Sequence, residues 1–310
     1  MKKNSKIYIA GHKGLVGSAF VRYLKAHGYT NLITATHSEL DLKDFNQTKK
    51  FFERHKPDYV ILAAAKVGGI QANRSYPADF LYDNLAIQNN IFNSALNTGV
   101  KKLMFLGSSC VYPTKCPQPM KEEYLLIGSL EPTNEGYALA KIAGLKLAEY
   151  FYRQHNFKSV CLMPCNLYGP GDSFDLQNAH VLSSLVKKFT DARLKNKKNV
   201  VLWGTGIARR EFMHVDDLAR IAMILFVKIK TPDIINVGTG TDISIKKLAE
   251  LIARKTGYKG ILRWDKAMPD GMLRKCLDTS KMTTLGLKSS ISLENGIDGV
   301  IAEYNKLTNK

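Results

Sequence analysis

Three side chains that together suit the reduction of a carbonyl group lie in the middle of this 310-residue chain: Ser108, Tyr137 and Lys141. Tyr137 and Lys141 are four residues apart, so they would share one face of a helix. Because an ammonium group favours phenolate, we expect Lys141 to lower the pKa of Tyr137 from its free value of about 10. The Ser108 hydroxyl, or that of the adjacent Ser109, could donate to the carbonyl oxygen. The alternative interpretation of the Tyr/Lys pair is a solvated pair on an ordinary helix.

A glycine-rich turn near the amino terminus predicts a nucleotide site. Gly11, Gly14 and Gly17 follow an apolar strand and open a helix, with Leu15 and Val16 between them. In this context glycines let the backbone approach a pyrophosphate, which the helix amino terminus attracts. The spacing is GxxGxxG instead of GxGxxG, and it resembles that of the extended short-chain dehydrogenase/reductase family.

The residues after the second predicted strand bear on the choice of cofactor. NAD is usually held by an acidic residue at this point, and the stretch 34–38 contains none before Glu39. Lys13 and His37 could instead face a 2′-phosphate, which favours NADP(H); the alternative interpretation is that both are surface polar residues. Asp41 is suitably placed to approach the adenine edge.

The elements that must position these residues alternate between strand and helix, which indicates a parallel sheet. Strands are predicted at 6–10, 31–36, 59–65, 103–106 and 159–163, then near 200–203 and 234–237. Helices are predicted from the glycine turn to about 27, and at 44–55, 84–98, 137–154, 180–195, 216–230 and 244–256. The stretch 166–171 is predicted to be a loop.

The predicted fold is therefore α/β, a Rossmann-type doubly wound parallel sheet with a smaller mixed α/β lid that binds substrate. We expect residues 1–165 to form the nucleotide-binding domain, with a segment at about 205–240 returning to it. Residues 166–310 would form mainly the substrate-binding domain. No repeat or flexible linker is evident, so the lid should pack directly on the sheet.

Composition limits the classes of function. The net charge of +18 could indicate nucleic acid or a small polyanionic ligand, but the basic residues are scattered and no nucleic-acid motif is present, so we expect no nucleic-acid partner. No apolar run reaches about 18 residues, which predicts a soluble, cytoplasmic protein without a membrane partner. The five cysteines lack a CxxC spacing, so we expect free thiols and no metal site.

Several motifs in a consistent order resemble the GDP-L-fucose synthase family, the GDP-4-keto-6-deoxymannose 3,5-epimerase/4-reductases. They are Gly11-His-Lys-Gly-Leu-Val-Gly-Ser18, Ala65-Lys-Val-Gly-Gly69, Gly107-Ser-Ser-Cys-Val-Tyr-Pro113, the Tyr137/Lys141 pair, Asn166-Leu-Tyr-Gly-Pro170, Arg210-Glu-Phe-Met-His-Val-Asp-Asp217 and Pro269-Asp-Gly271. The resemblance covers nearly the whole chain. It implies a GDP-linked keto sugar as substrate, NADP(H) as cofactor, and a homodimer built from helices near 84–98 and 137–154.

The resemblance also implies roles for individual residues. Cys110 and His180 would transfer protons during inversion at C3 and C5, because a ketone at C4 acidifies both positions. Lys188, Trp203, Arg210, Asp270 and Lys275 would contact the nucleotide sugar with Ser108 and Ser109. Ala65, Lys141, Pro164, Asn166, Leu167 and His180 would line the cofactor.

Some alternatives stay open. Arg209 could replace Arg210, and Trp203 could be a core residue. The family often has arginine where this chain has Lys13 and Ala35 or His37, and lysine lacks the bidentate geometry of arginine. The substrate could be a GDP-4-keto-6-deoxyheptose that is epimerised and reduced or only reduced, or the chain could be a non-catalytic Rossmann nucleotide-binding protein.

Overall fold

A six-stranded parallel sheet forms the centre of the computed structural model, which describes residues 1–176 and 179–308. Its strands are β1 (Ile7–Ala10), β2 (Leu32–Ile33), β3 (Tyr59–Leu62), β4 (Lys102–Leu106), β5 (Ser159–Pro164) and, later in the chain, β9 (Ile234–Val237). The strand order is β2-β1-β3-β4-β5-β9, and each neighbouring pair is parallel. This order confirms the predicted doubly wound fold, because strands are added on both sides of β1.

Helices lie between these strands and cover the sheet. They are α1 (Leu15–Ala26), α2 (Phe45–His55), α3 (Ile70–Ser75), α4 (Pro77–Asn97), α5 (Glu135–His155) and, before β9, α7 (Val215–Lys228). All five residues of β4 and all six of β5 are buried, as expected for apolar strands covered on both faces. The buried Lys102 amine donates to the carbonyl oxygens of Phe226 and Ile229, which ties β4 to the end of α7.

The rest of the described chain forms smaller sheets with their own helices. β8 (Arg209–His214) pairs with β6 (Asn166–Tyr168), β10 (Asp242–Ser244) and β12 (Arg274–Lys275), while β7 (Asn199–Trp203) pairs with β11 (Ile261–Asp265). The helices are α6 (Val181–Leu194), α8 (Ile245–Thr256), α9 (Ser280–Thr284) and α10 (Leu293–Thr308). A second hydrophobic cluster, separate from that of the large sheet, joins α6, α8 and α10.

The structure differs from the sequence-based prediction at several elements. The second strand is confined to 32–33, and α4 begins at Pro77, seven residues before the predicted start at 84. The stretch 166–168, predicted to be a loop, is strand β6, because it pairs with β8 before Gly169-Pro-Gly171 turns the chain. Within the described residues, no helix is both long and apolar enough to cross a membrane.

Candidate active site

The glycine turn packs tightly between β1 and α1. Gly11 has a φ of +81°, and a Cβ there would lie 2.7 Å from the Ala64 backbone nitrogen at the end of β3. A Cβ at Gly17 would lie 2.1 Å from the Gly11 carbonyl oxygen. Gly14 precedes α1 without a side-chain cap, so the first N–H groups of the helix remain available to an anion. This turn therefore fits a dinucleotide pyrophosphate.

The loop after β2 holds a carboxylate near the exposed Lys13 and His37 side chains. Glu39 accepts hydrogen bonds from the Thr36 backbone nitrogen at 2.7 Å and from its hydroxyl at 2.8 Å. These bonds, together with the nearby positive charge of Lys13, lower the pKa of Glu39. An ionised acid beside Lys13 reduces the positive charge available to a 2′-phosphate. Asp41 accepts a hydrogen bond from the Lys43 backbone nitrogen.

Ser108, Tyr137 and Lys141 meet at the carboxyl end of β4. Ser108 caps the short 3-10 turn Ser109–Val111 by accepting a hydrogen bond from the Cys110 backbone nitrogen at 3.2 Å. Lys141 projects from α5, donates to the Leu106 carbonyl oxygen at 2.9 Å, and lies 5.6 Å from the centre of the Tyr137 ring. The structure thus brings together the three side chains that the sequence grouped.

The prediction that Lys141 lowers the pKa of Tyr137 is wrong. Burial raises the pKa of Tyr137 well above its usual range, and the Ser108 hydroxyl only partly opposes this effect. Burial also lowers the pKa of Lys141 to about 8. In a site shielded from water, the cost of charging each group outweighs their mutual attraction. Tyr137 therefore keeps its proton near neutral pH, as a proton donor requires.

Cys110 faces several polar groups from different parts of the chain. Its sulfur accepts a hydrogen bond from Asn134 Nδ2 at 3.2 Å and lies 3.6 Å from Lys275 Nζ. Cys110 also acts electrostatically on both Tyr137 and Arg210, raising the pKa of each. The Cys110 sulfur is therefore held by polar groups from both parts of the chain.

Asn134 was not predicted from the sequence. Its position just before α5 is typical of a helix N-cap, but its side chain makes no capping hydrogen bond and turns to Cys110 instead. Its Oδ1 is buried and has no hydrogen-bond partner among the described residues. Buried polar atoms are normally paired, so Asn134 is suited to contact a polar ligand group.

Arg210 lies on β8 beside the predicted sugar and diphosphate contacts. Its Nη2 donates to the Asp270 carbonyl oxygen at 3.3 Å, and the Asp270 carboxylate is held by the Thr205 backbone nitrogen at 2.8 Å and hydroxyl at 2.6 Å. Arg209 points elsewhere, since it forms a 2.5 Å ion pair with Asp242. The geometry therefore favours Arg210 over Arg209.

Two other predicted substrate contacts, Trp203 and Lys188, lie on β7 and α6. Trp203 is 55% exposed, which excludes the alternative that it is a core residue. Lys188 is partly buried on α6, and burial lowers its pKa. An exposed indole face suits stacking, whereas a partly desolvated amine suits an anionic partner.

A buried glutamate on β8 connects the smaller sheet to the segment that follows β9 of the large sheet. Glu211, next to Arg210 on β8, accepts hydrogen bonds from the backbone nitrogens of Thr239, Gly240 and Leu277 at 2.6, 2.7 and 2.8 Å. Asn166 donates to the Glu211 carbonyl oxygen at 2.8 Å. The remaining predicted cofactor contacts lie at strand ends: Pro164 closes β5, Leu167 is in β6, and Ala65 follows β3.

His180 lies immediately before α6. Its Nδ1 is 3.0 Å from Asp172 Oδ1, and this hydrogen bond with the nearby negative charge raises the pKa of His180. Within the described residues, no hydrogen bond or ion pair joins His180 to Cys110 or Tyr137. The site therefore has one compact group around Ser108, Cys110, Tyr137 and Lys141, and a separate Asp172–His180 pair.

Comparisons with known proteins agree with this geometry. Residues 7–238 match the NAD dependent epimerase/dehydratase family. The chain is 52% identical to a putative GDP-L-fucose synthase 2 of Arabidopsis thaliana, over 98% of this chain and 93% of that protein. It is 47% identical to the GDP-L-fucose synthase of Escherichia coli K12, over 94% of each. A GDP-mannoheptose C4 reductase from Campylobacter jejuni with NADP bound superposes with a TM-score of 0.89, at 39% identity over 99% of each chain.

Proposed function

The chain belongs to the NAD dependent epimerase/dehydratase family, and from this premise we propose that it converts GDP-4-keto-6-deoxy-D-mannose to GDP-L-fucose. The conversion requires inversion at C3 and C5 followed by NADPH-dependent reduction at C4. The observation that carries the proposal is the position of Cys110, which lies among the reducing groups while Asn134 and Lys275 contact its sulfur. A reductase alone would not need a polarised thiol at this point.

NADPH would be held by the glycine turn, with Lys13 and His37 toward its 2′-phosphate and Asp41 toward the adenine. Ala65, Pro164, Asn166 and Leu167 would line the nicotinamide side. The chemistry that the cofactor supplies when bound is hydride donation to C4. Lysine in place of arginine, together with the nearby Glu39 carboxylate, would make the preference for the 2′-phosphate weaker than a bidentate site would give.

The reduction depends on three side chains. Ser108 holds the C4 carbonyl oxygen, and Tyr137 donates the proton that this oxygen takes up. The raised pKa of Tyr137 keeps that proton in place until charge develops on the oxygen. Lys141 orients the nicotinamide ribose from its position against the Leu106 carbonyl.

Epimerisation uses the same C4 carbonyl before it is reduced. The carbonyl acidifies the C3 and C5 protons, so that Cys110 removes a proton from one face and His180 returns one on the other. The positive charge near Cys110 supports its role as base, and the raised pKa of His180 supports its role as acid. Arg210 and Lys188 would bind the diphosphate with Lys275 nearby, while Trp203 packs on a ring and Asp270 positions Arg210.

A related GDP-4-keto-6-deoxyheptose is the second candidate substrate, because a solved GDP-mannoheptose C4 reductase has a closely similar fold. Retention of both Cys110 and His180 argues against a reductase without epimerisation. It does not distinguish a hexose from a heptose substrate, since one additional sugar carbon requires a different pocket shape more than different catalytic groups.

The assembly and location of the protein are also proposals. Leu139 and Tyr150 on α5 and Tyr82 on α4 are exposed, and α4 packs against α5, which supports a homodimer through these helices. We place the protein in the cytoplasm. Residues 1–165, with the returning segment at about 205–240, would form the NADP-binding domain, and 166–310 would mainly bind the substrate.

The test is product analysis with purified protein. GDP-4-keto-6-deoxymannose and the corresponding heptose would each be incubated with NADPH, and the products identified by mass spectrometry and NMR. We expect GDP-L-fucose from the hexose, at a higher kcat/KM than for the heptose. Faster turnover of the heptose would identify the alternative substrate, and no NADPH oxidation with either sugar would support a non-catalytic nucleotide-binding protein.

A further inference from the structure

Asp172 is a nearly buried carboxylate with every oxygen engaged. Its side chain is 3% exposed. Oδ1 lies 3.0 Å from His180 Nδ1 and accepts a hydrogen bond from the Ser173 backbone nitrogen at 2.9 Å. Oδ2 accepts a hydrogen bond from the Ser183 hydroxyl at 2.5 Å. The carboxylate is therefore fixed on both sides.

These contacts determine the chemical state of the imidazole. An ionised carboxylate accepts hydrogen bonds only, so His180 Nδ1 must carry a proton toward Asp172. Nε2 is then the ring nitrogen that is free to act on a ligand. The His180 side chain is 50% exposed, so the ring is partly open to the surroundings.

At the position of His180, a protonated imidazole requires a nearby negative charge for its stabilisation. His180 is the residue before α6, where the positive end of the helix dipole disfavours an imidazolium ion. The first turn of α6 contains no charged residue. Glu303 of α10 accepts a hydrogen bond from the Gly171 backbone nitrogen and so faces the loop backbone. Asp172 is the charged group that acts on the imidazole and offsets the dipole.

We propose that Asp172 is a positioning residue that holds His180 with Nδ1 protonated and Nε2 directed to the sugar, and that Ser183 locks Asp172 in this orientation. This inference rests on the proposed role of His180 as the proton donor in epimerisation. It assigns a task to Asp172 and Ser183 that the site residues grouped from the sequence did not include. The proton that His180 gives to carbon leaves from Nε2, while the Nδ1 proton stays between the ring and Asp172.

The test combines a titration without substrate and a reaction assay. The His180 ring would be followed by nitrogen-15 NMR in the full chain, with His180→Asn used for assignment. In Asp172→Asn the midpoint of the His180 titration should fall by about one pH unit, because the amide keeps the acceptor but loses the charge. In Asp172→Ala the neutral ring should lose its preference for the Nδ1–H tautomer.

The reaction assay measures exchange of the C3 and C5 protons with deuterated water. Asp172→Asn should slow exchange about tenfold and leave NADPH affinity unchanged, and Asp172→Ala should slow it further. Asp191→Asn is the matched control. Asp191 is a carboxylate on α6 that pairs with Lys187 and Tyr304. Circular dichroism melting of each variant would verify folding.

The two parts separate this inference from the proposed function. An unchanged His180 titration in folded Asp172→Asn would overturn the pairing whatever the substrate is. A shifted titration with unchanged exchange would overturn the role of Asp172 in catalysis. If the wild-type protein exchanges no sugar proton while the titration still depends on Asp172, the proposed function fails and the Asp172–His180 pairing stands.

Discussion

The Lys275 ammonium lies 3.6 Å from the Cys110 sulfur, although 165 residues separate them in the chain. Cys110 follows β4 of the large sheet, whereas Lys275 ends β12 of the smaller sheet. The contact therefore joins the two halves of the site at the proposed base. The ammonium is therefore placed where it can act on the reactivity of the sulfur.

Replacing Lys275 by methionine should make Cys110 less reactive. Without the ammonium, we expect alkylation of Cys110 by iodoacetamide to slow about tenfold, which corresponds to ~1.4 kcal/mol. The rate would be measured by mass spectrometry of the Cys110 peptide. Lys266→Met, at an exposed lysine of the same region, is the control and should leave the rate unchanged. Equal rates for Lys275→Met and the wild type would show that the contact does not activate the thiol.

Tyr137→Phe should separate the two halves of the reaction. Loss of the proton donor should reduce NADPH oxidation by about 10²- to 10⁴-fold, whereas exchange at C3 and C5 should continue because Cys110 and His180 remain. Both rates would be measured on one preparation, by NADPH absorbance and by deuterium incorporation. Loss of both activities to the same extent would contradict separate roles.

NADPH affinity should depend on pH through Lys141. Because burial lowers its pKa to about 8, the amine is protonated below that pH in the free protein and becomes neutral above it. A cation holds the ribose hydroxyls better, so the dissociation constant should rise between about pH 7 and 9. Fluorescence titration would measure it. Lys141→Met should bind more weakly with little dependence on pH, and a flat wild-type profile would rule out the effect.

Leu139→Glu should disrupt the proposed dimer. Leu139 is 42% exposed on α5, and a charge buried in an α4/α5 interface would carry a large desolvation cost. Light scattering after size exclusion should then give the monomer mass. Leu194→Glu, at a leucine that is 55% exposed on α6, should leave the mass of the wild type unchanged. A wild-type protein that is already monomeric would refute the dimer directly.

The sequence predicted the fold and the central group of the site because both depend on local patterns. Buried parallel strands give short apolar runs in the sequence. The four-residue spacing of Tyr137 and Lys141 places both side chains on one face of a helix, however that helix packs. Strand β6 was missed for the opposite reason, since three residues before a Gly169-Pro-Gly171 turn form a strand only when β8 lies beside them. The start of α4 was missed because Pro77 at a first helical turn is also compatible with a loop.

The properties that depend on tertiary contacts could not be predicted in this way. The raised pKa of Tyr137 follows from burial, which no spacing indicates. Asn134 has the sequence context of an ordinary cap, and only the position of Cys110 shows what its amide contacts. Asp172 and His180 are eight residues apart and neither lies in a helix or strand, so neither helical nor strand periodicity relates them.

The place of β9 has a consequence for how the chain is made. This strand pairs with β5, yet it follows β6 and β7 and the helix α6 in the chain. A ribosome must therefore synthesise residues 165–233 before β9 can cover the edge of β5. Until residue 237 has emerged, one edge of the apolar strand β5 lacks its partner strand, and such an edge is a template for aggregation. A fragment that stops at residue 165 should have the same defect for as long as it exists.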